Sequence, residues 1–180
     1  MSRIGNKPIK LNEDVDIDIA NGIVTVKGPK GELSVNIDNN ILVENKDSII
    51  QLKVIDNKDR QGNAKLGLYR SLIQNNIIGV TQGYKKELIL QGIGYRVQKK
   101  GNNLNFSLGF SHSIEFNAPN GIKLEVEAQT KVFVEGIDKE LVGRTCSNII
   151  KLRKRDVYKG KGIYFSGEHI KKKPGKSIKK

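Results

Sequence analysis

The spacing of apolar residues switches from that of strands to that of a helix at two points along this chain. Near the start, Val15, Ile17 and Ile19 alternate with acidic residues, which predicts a half-buried strand. Turn residues such as Asn21-Gly22 separate further short apolar runs, so we expect a meander of antiparallel strands with one buried face. The predicted strands cover residues 15–19, 23–26, 33–37, 41–44 and 49–55.

From about residue 58 to Gly79 the apolar residues fall three or four positions apart, which predicts an amphipathic helix. Asp56 and Asp59 are both candidates for its N-cap, and Gly79 and Gly83 are both candidates for its end. Several strands followed by one helix predict an α+β unit, in which the helix packs on one face of a small antiparallel sheet.

The second half of the chain repeats this plan. Val26, Leu33 and Val35 recur at one constant offset as Val97, Leu104 and Phe106, which indicates an internal duplication. The sequence therefore predicts two tandem α+β repeats, with domains at residues 1–81 and 82–180. The predicted elements are strands at 84–91, 95–98, 104–108, 112–116, 122–126 and 131–135, and a helix at about 138–152 with Asp138 as its N-cap.

A basic tail follows the second predicted helix. Residues 151–180 hold twelve basic and two acidic side chains, whereas the first 150 residues hold 20 and 17. At the centre of the tail, Tyr158-Lys159-Gly160-Lys161-Gly162 places one aromatic ring among cations and glycines. Lysines neutralise phosphates and glycines let a backbone approach closely, so this composition favours a polyanion that carries bases or sugars. The alternative is a solvated, disordered tail, but the apolar run 163–165 gives the tail something to bury.

No catalytic or metal constellation is evident. Cys146 with His112 or His169 as its base is one candidate, but Cys146 shares an apolar helical stripe with Val142 and Ile149, which indicates a core position. Two histidines and one cysteine without close spacing do not suit zinc. We therefore expect no enzyme activity, no cofactor, no small-molecule substrate and no disulfide. The chain also lacks a secretory signal pattern and an apolar run near the roughly 18 residues of a membrane helix.

Five motifs, which follow one another in the same order along the chain, resemble motifs of one protein family. The segment from Asp156 to Ile163 is similar to the signature of the bacterial-type large-subunit ribosomal protein L-six family, although Arg155 stands where that family usually has proline. The other similar motifs are Met-Ser-Arg-Ile-Gly at 1–5, Gly-Leu-Tyr-Arg at 67–70, Gly-Ile-Gly-Tyr-Arg at 92–96 and Leu-Gly-Phe-Ser-His at 108–112. The resemblance covers essentially all 180 residues.

The resemblance implies a structural protein of the large ribosomal subunit, in the cytoplasm or in an organelle. It also implies two tandem α+β domains and binding to 23S-type rRNA, mainly through the C-terminal domain. The site would lie near the stalk base and the factor-binding region, beside neighbouring ribosomal proteins. A free-standing nucleic-acid binder and a membrane-surface binder are the alternative classes, because a polybasic tail also attracts anionic lipid.

Within the signature, we assign Lys159 and Lys161 to phosphates and assign Gly160 and Gly162 to close approach of the RNA. Two interpretations of Tyr158 stay open: stacking on a base or ribose, or packing against Leu152 and Ile163. Few aromatic residues are available for splayed bases, so we expect recognition of RNA shape and backbone more than of sequence.

Two further groups of basic residues complete the predicted rRNA site. Arg153, Lys154 and Arg155 should extend the basic face, although cations also suit a helix C-terminus electrostatically. Four lysines would form a tail that is disordered alone and ordered on rRNA. They are Lys171, Lys172, Lys173 and Lys176.

Overall fold

The computed structural model describes residues 3–46, 48–55, 60–169 and 171–175. Two helices and thirteen strands lie in these ranges, and the fold is of the α+β class predicted from the sequence. The chain divides into two compact units, Met1–Tyr84 with Ile137–Lys139, and Lys85–Gly136 with Glu140–Lys180. The domain bounds expected from the sequence, 1–81 and 82–180, stay a prediction.

The first unit contains two three-stranded antiparallel sheets, where the sequence predicted one continuous meander. The sheet orders are β2-β3-β4 and β1-β6-β5. The first strand was not predicted, because two residues are too few to show an alternation. The strands are β1 Ile9–Lys10, β2 Asp16–Ala20, β3 Ile23–Gly28, β4 Gly31–Asn36, β5 Ile41–Lys46 and β6 Ile49–Val54.

One helix, α1 at Arg60–Thr81, packs against β3, β4 and β6. Its apolar stripe and the inner faces of the strands form the core, in which Val24, Ile50 and Ile73 are fully buried. The helix continues through Gly79 and ends with the N–H of Gly83 donating to the carbonyl of Ile78 at 3.1 Å. Of the two predicted ends, Gly79 is therefore wrong, since the left-handed residue that closes the helix is Gly83, with φ +77°. Both N-cap candidates lie outside the described residues.

The second unit repeats this topology. Its sheet orders are β10-β9-β8 and β11-β12-β7-β13, so the three-stranded meander recurs and the second sheet gains one strand. Asp138 directly precedes the second helix, which is its predicted N-cap position. The elements are β7 Tyr84–Gln91, β8 Arg96–Lys100, β9 Asn103–Ser107, β10 Ile114–Phe116, β11 Ile122–Glu127, β12 Lys131–Gly136, α2 Lys139–Leu152 and β13 Gly162–Phe165.

The extra strand, β13, comes from the segment that the sequence treats as a basic tail. It pairs antiparallel with β7, and Ile163 lies opposite Leu90. Ile163 is fully buried, so the apolar run inside the tail does have a core to enter. The described helices include none with the length and hydropathy that crossing a membrane requires.

Candidate nucleic-acid interface

A loop at residues 156–162, here called the signature loop, joins the end of α2 to β13, and the carboxylate of Asp156 organises it. This carboxylate accepts the backbone N–H groups of Tyr158 at 3.0 Å and Lys159 at 3.2 Å. The Asp156 backbone closes the loop, since its N–H donates to the Lys161 carbonyl at 2.7 Å and its carbonyl accepts from Gly160 at 2.8 Å. The N–H of Tyr158, more than any other group, lowers the pKa of Asp156.

Two glycines make this loop geometrically possible. Gly160 has φ +69° and Gly162 has φ +138°, both in regions that L side chains rarely adopt. A methyl group at Gly162 would lie 2.5 Å from the Cα of Arg155, and one at Gly160 would meet the side chain of Lys172. Both glycines therefore allow close packing of the chain on itself. Their role in close approach of RNA stays a prediction.

The signature loop borders an open groove of about 700 Å³. Cations from the predicted site line it together with residues from two other loops of the same unit. The lining cations are Arg153, Lys154, Arg155, Lys159 and Lys161. The lining residues from the other loops are Ile93, Tyr95, Gly109 and Phe110.

Arg153 is anchored in this groove by two aromatic residues. Its Nε donates to the Tyr95 hydroxyl at 3.1 Å, and its guanidinium carbon lies 4.8 Å from the centre of the Phe110 ring. The cation–π contact and the hydrogen bond both favour this position of the guanidinium. Because α2 ends at Leu152, Arg153 is placed at the groove rather than in the last helical turn.

The positive charge of Arg155 is partly neutralised within the protein, which the sequence alone does not show. Its guanidinium forms an ion pair with Glu168, which follows β13. Lys154 and Lys159 are exposed, and Lys161 is half-buried at the groove wall. These three lysines and the anchored Arg153 are therefore the groove's main source of positive potential.

Tyr158 lies on the signature loop but is not among the residues that line the groove. Its side chain is 59% exposed, whereas Ile163 is fully buried. Both interpretations left open by the sequence, stacking on a base or ribose and packing against Leu152 and Ile163, therefore stay predictions.

The described part of the terminal tail, residues 171–175, has no regular secondary structure and is exposed. It nevertheless runs back to the signature loop, because the N–H of Lys173 donates to the Val157 carbonyl at 3.0 Å. The side chain of Lys172 lies against Gly160. Lys171 is exposed, and Lys176 lies outside the described residues. Disorder of this tail in the free protein stays a prediction.

Cys146 occupies the core position that the helical stripe predicts. It is fully buried, and burial raises the pKa of its thiol to about 11, which disfavours the nucleophilic thiolate. His112 stacks on Phe110 with ring centres 6.4 Å apart, so one of the two candidate bases belongs to the groove region. Within the described ranges, no group of three or more His, Cys, Asp or Glu side chains is placed to hold a metal ion.

Sequence reasoning missed Ile93, Tyr95 and Phe110 as residues of the site. All three belong to motifs that carried the family resemblance, Gly92–Arg96 and Leu108–His112, yet neither motif was given a role. An exposed isoleucine between two glycines and an aromatic residue after a glycine were the available signals. These residues lie far from the basic tail in the sequence, so the sequence does not show that they line the same groove.

Comparison with known proteins decides the family. The profile described as "Ribosomal protein L6" matches residues 12–83 and 91–166. This chain belongs to the ribosomal protein L6 family. The second matched segment contains the groove-lining motifs and the signature loop, whereas the described tail at 171–175 lies beyond it.

Two relatives of this ribosomal protein match along nearly their whole length. The "Large ribosomal subunit protein uL6" of Halothermothrix orenii is 43% identical over 178 residues, which is 98% of this chain and 99% of the relative. The "Large ribosomal subunit protein uL6c" of Guillardia theta is 44% identical over 180 residues, with both chains covered completely. Identity at this level over full length extends the L6 assignment to both repeats of the chain.

Proposed function

We propose that this L6-family protein is a structural, non-enzymatic constituent of the large ribosomal subunit and that it binds 23S-type rRNA through the groove of its second unit. The observation that carries the proposal is the position of Lys159 and Lys161, on a loop closed by internal hydrogen bonds, beside Lys154 and Arg153 in one groove. Both relatives are named as large-subunit proteins. The proposed location is near the stalk base and the factor-binding region, with neighbouring ribosomal proteins as further partners.

The charge balance of the groove favours a phosphate backbone. Five of its eleven lining residues are cations and one, Asp156, is an acid. The Asp156 carboxylate is occupied by backbone N–H groups of its own loop, so it is not aimed at a ligand. Holding cations on an ordered loop reduces the entropy lost when they meet phosphates.

A membrane surface fits this geometry less well than RNA does. Interfacial binding uses a long amphipathic helix or a flexible basic segment beside a lipid anchor. Here the signature loop is a tight, glycine-dependent turn, and the run that follows it is a sheet strand with Ile163 in the core. The cations therefore line a groove instead of a flat apolar face.

The test is binding of the purified protein to large-subunit rRNA as a function of salt, with tRNA as the competitor. We expect the affinity to fall linearly in log–log form, by roughly 10³–10⁵ between 50 and 200 mM salt if about 6–10 phosphates are engaged. A shaped site requires rRNA to outcompete tRNA at the higher salt. Equal competition by both RNAs at every salt concentration would show that the protein binds RNA only through its total positive charge, and would overturn the proposal.

A further inference from the structure

The groove carries exposed apolar side chains beside its cations. Ile93 is 88% exposed and Phe110 is 41% exposed, and both line the same groove as Lys154, Lys159 and Lys161. A double-stranded phosphate backbone offers charge and hydroxyl groups, which leave such apolar surface uncovered. An unstacked base has a flat apolar face that covers it, and stacking on aromatic or guanidinium planes is how proteins hold unpaired bases.

The exposure of Ile93 is built into a tight turn. The N–H of Tyr95 donates to the carbonyl of Gly92 at 3.2 Å, and Gly94, between them, has φ +74°. A glycine with positive φ at the third position is the requirement of a type II turn, whose second residue projects from the tip. Gly92 packs directly on the ring of Tyr95, since a methyl group there would lie 2.7 Å from that ring. The buried Tyr95 ring therefore anchors the turn that presents Ile93.

The same tyrosine also fixes Arg153 over the ring of Phe110. A guanidinium has five N–H groups, and the bond to the Tyr95 hydroxyl uses one of them. Held by that bond and by the Phe110 face 4.8 Å away, the guanidinium is positioned before any ligand arrives. Two of the motifs outside the signature, Gly92–Arg96 and Leu108–His112, thus meet the end of α2 at one prepared surface.

We propose that this groove receives a single unpaired nucleotide of the RNA. Its base lies against Ile93 and the part of Phe110 that Arg153 and His112 leave exposed, and its phosphate lies on Lys159 and Lys161. The groove volume of about 700 Å³ falls within the range of roughly 300–1,000 Å³ that small-molecule sites occupy. This inference rests on the proposed binding to rRNA and deepens it, since it replaces readout of duplex shape alone by capture of one splayed base.

The experiment measures binding of the full-length protein to large-subunit rRNA over a range of salt concentrations, for Phe110→Leu and Phe110→Tyr. Leucine keeps an apolar side chain but removes the aromatic face, so we expect affinity to fall by roughly 5- to 100-fold, the effect of losing one stacked base. The slope of log affinity against log salt should stay unchanged, because Arg153 keeps its charge and its bond to the Tyr95 hydroxyl, and the lysines that contact phosphate are not altered. Tyrosine keeps the ring and should bind within about twofold of the parent protein, since stacking depends on the aromatic face.

Ile93→Ser supplies a second variant whose folding is not in question, because this side chain is almost fully exposed at the tip of the turn. It should lose affinity a few-fold, again with an unchanged slope. The inference is overturned if Phe110→Leu and Ile93→Ser bind as the parent does, or if their loss comes with a reduced slope. A parent protein that fails to prefer rRNA would instead overturn the proposed function, and the inference with it.

Discussion

At the scale of single residues, the carboxylate of Asp156 is the group on which the order of the signature loop depends. Its hydrogen bonds to two backbone N–H groups lower its pKa below the ordinary 3.8. A carboxyl with a depressed folded-state pKa contributes stability that is complete above its unfolded value and is lost as pH falls through the folded value. The loop should therefore be fully ordered above pH 3.8 and should loosen at lower pH.

We predict that Asp156→Ala removes this order at every pH, whereas Asp156→Asn retains an acceptor oxygen and removes only the pH dependence. The measurement is the NMR protection factor of the Tyr158 amide, followed from neutral to acidic pH in the parent and both variants. A titration midpoint at or above 3.8 in the parent would contradict the assignment.

Gly162 is the second residue of the loop whose substitution should disturb its structure. A side chain there combines φ +138° with a contact to the backbone of Arg155, which has no flexible end that can move away. We predict that Gly162→Ala lowers the free energy of unfolding by about 1–3 kcal/mol from backbone strain alone. Urea denaturation measures the loss. Gly175→Ala is the matched control, because its surroundings are open and its change should stay within about 0.5 kcal/mol. Equal effects of both substitutions would show that the loop geometry is not as described.

At the scale of elements, the strand β13 is part of the fold of the second unit although it lies within the basic tail. The sequence predicts that removing everything after Leu152 abolishes rRNA binding and spares the first domain. That truncation also removes Ile163, a buried side chain whose loss alone costs about 2–5 kcal/mol. We therefore expect it to unfold the second unit, so that loss of binding would have two causes.

A truncation after residue 170 distinguishes loss of charge from unfolding of the second unit. It removes the lysines after residue 170 and the hydrogen bond from Lys173 to Val157 but keeps β13 and the signature loop, so the thermal midpoint should stay close to that of the full chain. Binding to rRNA should weaken and its salt dependence should become shallower, since tail lysines are lost while Arg153, Lys159 and Lys161 of the groove are kept. A truncated protein that unfolds as readily as the one ending at Leu152 would place the tail in the fold instead.

The same element explains how far sequence reasoning reaches. Periodicity predicted α1, α2 and most strands, because a buried stripe such as Val142, Cys146 and Ile149 leaves its spacing in the sequence. It did not separate β5 and β6 from the first meander, since strand pairing is a long-range choice that alternation does not encode. It named the cations that line the groove but not Phe110, because a groove is assembled by topology from loops far apart in the chain.

At the scale of the whole molecule, ten of the thirteen net positive charges lie in the last 30 residues, and only part of them lies among the described residues. Lys159 and Lys161 lie on the closed signature loop, whereas Lys179 and Lys180 lie outside the described residues. We predict that charge reversal at the first pair weakens rRNA binding more than reversal at the second, and reduces the salt slope by at least about 2, roughly one for each phosphate contact. Both double variants change the net charge equally, so long-range attraction is matched between them. Salt titrations with rRNA compare the pair directly. If the two variants lose the same affinity and the same slope, the RNA responds to total charge, and the groove gives no advantage over the last lysines of the chain.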